Sequence, residues 1–115
     1  MQVKEMMEKL SLALVTKDVS QEALEAAVEN GYASDLLSNV MGQGEQGMVW
    51  VTMQGHQNIA AVASLIGLSA VIVAGGAPVA ADTIEKANLN DVVILSTEAP
   101  AFQVVGQLYQ MGIGK

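Results

Sequence analysis

Three short apolar runs, Met48-Val-Trp-Val-Thr-Met53, Ala70-Val-Ile-Val-Ala74 and Val92-Val-Ile-Leu95, recur at intervals of about twenty residues, and a helix-patterned stretch follows each. Their length and β-branched content predict strands, and the lack of polar alternation in the second and third predicts burial on both faces. Ile59, Val62, Ala63 and Ile66 mark one side of a helix from about Gln57 to Ile66 that Gly67 ends, and Ala80 to Asn88 reads as a weakly capped second helix. Thr97 is expected to cap a last helix that tolerates Pro100 in its first turn and turns Phe102, Val105, Leu108, Tyr109 and Met111 inward. Right-handed crossovers then leave one economical architecture: α/β, three-layer, a mainly parallel sheet of about five strands with helices on both faces. A chain of 115 residues suffices for one such core, so residues 1–115 are read as a single domain.

The first third is less regular. Val3, Met6, Met7 and Leu10 predict a short amphipathic helix with Lys4, Glu5, Glu8 and Lys9 outward, and Leu12-Ala-Leu-Val15 a brief strand. Between Gln21 and Ala33 two patterns compete. Ala23, Leu24, Ala26, Ala27 and Val28 suit a helix, whereas Val28, Asn30 and Tyr32 alternate beside a glycine, and the strand over Ala26–Ala33 is preferred. Ser34 then reads as the cap of a helix with Asp35 facing the positive end of its dipole, Leu36, Leu37, Val40 and Met41 inside, and Gly42 at its close.

Composition removes whole classes of function. With no Cys, the chain has no thiol nucleophile and no thiolate-held zinc or iron–sulfur cluster. Five Lys, no Arg and a net charge of −7 make a surface that repels phosphate backbones and anionic lipid, so neither nucleic acid nor membrane is expected as a partner. No apolar run approaches ~20 residues and no secretory leader pattern opens the sequence, which gives a cytoplasmic expectation. Hydrophobic residues make up 51% and charged residues 15%, more apolar material than a core this small can hide. A homodimer accounts for the surplus; an alanine-rich monomer is the alternative.

Chemistry-bearing groups concentrate in Thr52-Met-Gln-Gly-His-Gln-Asn58, just past a strand's carboxyl end and at a helix start, where open α/β sheets bind ligands. Thr52, Gln54, His56 and Asn58 supply hydroxyl, amide and imidazole groups, and the helix start favours a small anion such as a phosphate or carboxylate. Gly75 and Gly76 join them as candidate ligand-binding residues in the next strand-to-helix loop. Each also has a structural explanation: Asn58 or His56 as the helix cap, Thr52 and Gln54 as partners of loop backbone, the glycines as points of positive φ. No catalytic residue, metal site or cofactor is assigned. One His has no second ligand beside it, no phosphate-binding loop with its lysine exists, and Ser38, Ser64 or Ser96 with His56 lacks an acidic third member.

Asn30-Gly-Tyr-Ala-Ser-Asp-Leu-Leu-Ser-Asn-Val40, Val49-Trp-Val-Thr-Met53, His56-Gln-Asn-Ile59 and Ala70-Val-Ile-Val-Ala-Gly-Gly76 together resemble the DRTGG domain, over nearly the whole chain. The resemblance implies the fold of the amino-terminal domain of HPr kinase/phosphorylase and of the first domain of murein-precursor ligases. It further implies a regulatory or dimerising part that stands beside catalytic domains in larger proteins. Short free-standing members are labelled serine kinases by association, a label that a chain without a phosphate-binding loop does not support. The naming segment would fall on Glu25-Ala-Ala-Val-Glu-Asn-Gly31, where Glu25 replaces the Asp, Ala26 the Arg, Glu29 the Thr and Asn30 the first Gly.

The leading expectation is therefore a non-catalytic regulatory or dimerisation module that senses a small anionic metabolite or nucleotide. A small-molecule-binding accessory protein of a metabolic enzyme is the second reading, and an enzyme with His56 as general base the third.

Overall fold

Successive residues of the apolar runs feed two different cores. Val49, Val51, Ala70, Ile72 and Leu95 pack with Val3, Met6, Val104 and Leu108, whereas Trp50, Val71, Val73 and Ile94 pack with Val40, Ile59, Ala63 and Ala87. This is the period-two alternation of a sheet covered on both sides. In the computed structural model, which describes residues 1–56 and 58–114, the elements are α1 (Val3–Lys9), β1 (Ala13–Leu14), α2 (Gln21–Leu24), β2 (Asn30–Ala33), α3 (Leu37–Gln43), β3 (Met48–Thr52), α4 (Asn58–Ile66), β4 (Ala70–Val73), α5 (Ala81–Leu89), β5 (Ile94–Ser96) and α6 (Ala101–Gln110).

The sheet order is β1-β5-β4-β3-β2, parallel except for β1, which runs antiparallel on the outside of β5. Helices α1, α2 and α6 supply the first core and α3, α4 and α5 the second, so the three-layer α/β architecture expected from the sequence is present. Beyond β1, buried Thr16 extends the edge by accepting the Ile94 N–H on Oγ1 at 3.0 Å. No helix among the described residues is long and apolar enough to cross a membrane.

Four local expectations differ from what forms. The segment 26–33 is not one strand: Gln21–Leu24 makes a helical turn, Ala27 a lone bridge to Gln2, and only Asn30–Ala33 joins the sheet. Ser20 nucleates the turn by accepting the Ala23 N–H (3.1 Å), and the Val3 and Val28 N–H groups then donate to the Ala26 and Met1 carbonyls, holding the chain against the start of α1. Ser34 does not cap α3. Its hydroxyl accepts the Leu36 N–H (3.0 Å) in a turn, α3 begins only at Leu37, and Leu36 and Met41 lie outside.

Thr97 likewise closes a local turn by accepting the Ala99 N–H (3.1 Å), while Pro100 holds the cap position of α6 without a side-chain bond. The buried face of α6 is Val104 and Leu108; Phe102, Val105 and Tyr109 face outward. The helix start expected at Gln57 lies outside the described residues, and α4 is described from Asn58.

Candidate functional site

Four connections meet at the rim where the parallel strands end: Ser34–Leu36 after β2, Met53–His56 after β3, Ala74–Ala80 after β4 and Thr97–Pro100 after β5. Asp35 organises the second of these from the first. Its Oδ1 accepts the Thr52 hydroxyl (2.7 Å) and the Met53 N–H (2.8 Å), and Thr52 Oγ1 in turn accepts the Gln54 N–H (3.2 Å). The Gln54 amide nitrogen donates back to the Asp35 carbonyl, which leaves Gln54 Oε1 buried with no partner among the described residues.

Gly55 anchors the other side of the loop. Its carbonyl accepts the Ala80 N–H (2.9 Å) and the hydroxyl of buried Thr83 (2.9 Å), and a Cβ on Gly55 would overlap the Pro78 carbonyl, so no other residue permits this approach. The clamped loop and the β4–α5 connection enclose an open groove of about 510 Å³ lined by Met53, Gln54, Gly55, His56, Pro78 and Ala80. Its volume falls within the range of small-molecule sites. His56 is exposed on its wall, with its carbonyl accepting the Ile59 N–H (3.1 Å), and Asn58 is exposed at the first position of α4.

The six candidate residues do not share one cavity. Gln54 and His56 line the groove; Thr52 is 2% exposed and lies beneath it, its hydroxyl committed to Asp35. Gly75 and Gly76 both take φ of +69°, the conformation for which glycine is suited, but their N–H groups are occupied by the carbonyls of Ala99 (2.8 Å) and Thr97 (2.9 Å). They form no cradle for an anion. Gly75 packs against the Met53 methyl group, and Gly76 lines a separate groove of about 450 Å³ with Ser96, Thr97 and Glu98.

Asp35 is the residue that local reading misassigned. It is not in the first turn of α3, and its carboxylate serves the neighbouring loop instead of a helix dipole. Its location past the end of β2, next to the candidate loop, is the signal that identifies it.

The opposite rim holds a groove of about 620 Å³, lined by Ala26, Ala27 and Glu29 together with Glu22 and Asp91. The segment that would carry the DRTGG signature thus faces a cavity of acidic character. Glu25 stands apart from it, paired with Lys4 (3.2 Å); the Gln21 and Lys4 side chains hold its carboxyl below the usual range.

No family model and no curated protein sequence matches the chain. Among solved structures, the crystal structure of the CBS and DRTGG domains of the regulatory region of Clostridium perfringens pyrophosphatase, complexed with its activator diadenosine tetraphosphate, is similar in fold. It superimposes with a TM-score of 0.74 at 16% identity, over 95% of this chain and 46% of that one. The chain therefore spans about half the length of that regulatory region and has a DRTGG-like α/β fold.

Proposed function

We propose that residues 1–115 act as one DRTGG-like regulatory unit that senses a small ligand, works as a homodimer and performs no catalysis of its own. The observation that carries the reading is the open groove at the β3–α4 loop, at the rim where open α/β sheets bind ligands, on a fold shared with a nucleotide-bound regulatory region. In this reading the protein works in the cytoplasm.

In this reading the ligand is a nucleotide or another small anionic metabolite. Met53 and Pro78 supply the apolar wall, Gln54 and His56 the polar contacts, and the first turn of α4 at Asn58 the favourable end of a helix dipole. Thr52, Gly75 and Gly76 frame the groove instead of touching the ligand, because their polar groups are already bonded. Self-association is supported by the large apolar side chains left outside, Leu36, Met53, Leu65, Leu89, Phe102 and Tyr109 among them.

Thermal unfolding with AMP, ATP, acetyl phosphate and inorganic phosphate tests the site. A ligand at 100 times its Kd stabilises by about 2.7 kcal/mol, a shift of about 10 °C for a chain this size. His56→Ala and Gln54→Ala are expected to remove the shift. If none of the four compounds moves the parent's melt, or if both variants respond as the parent does, the groove is not the binding site.

A further inference from the structure

Along one side of α6, Phe102, Val105 and Tyr109 are 92%, 39% and 57% exposed, while Val104 and Leu108 on the other side fill the core. Gly106 sits in the middle of the outer side, and a Cβ there would meet nothing within 4 Å. Glycine inside a helix costs stability relative to alanine. The packing of this chain gives no return for that cost, but a second helix would: the closest approach of two helices is set by the side chains at their crossing.

The same side opens onto an apolar groove of about 190 Å³ lined by Tyr32, Val105, Leu108, Tyr109 and Ile113. From Ala99 to Gly114 the sequence has no charged residue, in a chain of net charge −7.

We infer that α6 is the face through which two copies of this chain pair, crossing antiparallel on a two-fold axis at Gly106. The inference rests on the homodimer reading above and adds the surface to it. Two copies that each carry −7 repel least where carboxylates are absent, and α6 with its flanks is such a place. Counting outward from Gly106, an antiparallel crossing sets Phe102 of one copy opposite Gln110 of the other, beside Tyr109 and the groove it lines. The most exposed large apolar side chain thereby gains an apolar seat.

The two exposed aromatic rings supply somewhat more than a third of the area an interface needs. At ~200 Å² for a whole aromatic side chain, Phe102 and Tyr109 together offer about 300 Å² per copy, and a standard interface takes ~800 Å² per partner, which leaves the rest of α6 and the Tyr32 edge to complete it. Strand addition at that edge is disfavoured, because the Gly31 N–H is already taken by Asn30 Oδ1 at 2.8 Å. Helix pairing is the mode that remains.

Light scattering and sedimentation of the full chain test the inference. The parent is expected to run at twice the chain mass at about 100 μM, with Gly106→Leu and Phe102→Glu each raising the dimer dissociation constant at least tenfold. Leu89→Glu, a control at an exposed site on the opposite layer, is expected to leave it unchanged. Gly106 and Phe102 lie outside the core, so circular dichroism of both variants should retain the parent's helix signal, and leucine at 106 is the better helix former. A dimer that withstands both substitutions overturns the α6 face and leaves the homodimer reading standing. A monomeric parent overturns both.

Discussion

Oδ1 of Asp35 accepts the Thr52 hydroxyl at 2.7 Å, so a carboxylate on the β2–α3 connection holds the last residue of β3 and, through the Met53 N–H, the loop that follows it. The candidate groove is shaped by that bond before any ligand arrives. Asp35→Ala leaves a buried hydroxyl without an acceptor, at a cost of about 1–3 kcal/mol. Chemical denaturation measures the loss, and amide exchange at Met53 and Gln54 should accelerate. In the Asp35→Ala, Thr52→Val double-mutant cycle a coupling near zero would show the bond to be energetically idle.

Gly55→Ala drives a Cβ into the Pro78 carbonyl, and backbone cannot yield as a flexible side chain does. A loss of about 2–3 kcal/mol is expected, the upper part of the range for overpacking. Gly42→Ala is the contrasting case: it lies in α3 with open space around it and should stabilise by about 0.5–1 kcal/mol. Urea midpoints that move in the same direction for the two variants would contradict this account.

Trp50, the single tryptophan, is fully buried, and its Nε1–H donates to the Ser34 carbonyl at 2.8 Å. Trp50→Phe removes both ring volume and that donor, for an expected loss of about 2–4 kcal/mol by calorimetry. Emission from the parent should be that of a buried indole and should shift red in one step with global unfolding.

At the far rim, Asp91 accepts both the Ser20 N–H (2.7 Å) and the Ser20 hydroxyl (2.6 Å), which hold its carboxyl below the ordinary aspartate range. A lowered carboxyl pKa in the folded state contributes stability that is complete above about pH 3.8 and disappears as pH falls through the folded value. Ser20→Ala removes the hydroxyl and the acceptor for the Ala23 N–H together, costing about 1 kcal/mol at neutral pH. Below pH 4 the variant should lose stability less steeply than the parent. Parallel acid limbs for the two proteins would rule out this source of pH dependence.

The succession β3-α4-β4-α5-β5-α6 was legible because each strand is an uninterrupted apolar run and each connection has its own helical period. The direction in which α6 faces was not. Phe102, Val104, Val105, Leu108, Tyr109 and Met111 surround the helix with apolar groups, so periodicity alone does not choose between Val104–Leu108 and Phe102–Tyr109 as the inner pair. Around Ala26 the deciding bonds join residues far apart in sequence, Val3 with Ala26 and Met1 with Val28, and local propensity carries no trace of them.

The candidate loop was visible as a dense run of polar groups, and its location at the strand ends was correctly read. What organises it was hidden, since Asp35 and Thr52 are 17 positions apart and meet only once β2 and β3 pair. The glycine pair was legible as a place of positive φ but not as one whose N–H groups are engaged, because their acceptors belong to the next loop.

Those two glycine bonds mechanically link the head of β4 to the residues that lead into α6. Any shift of Gly75 and Gly76 either ruptures both bonds or pulls on the first turn of the helix that presents Phe102. The β4–α5 connection and the entry to α6 are thus displaced together or not at all while those bonds last.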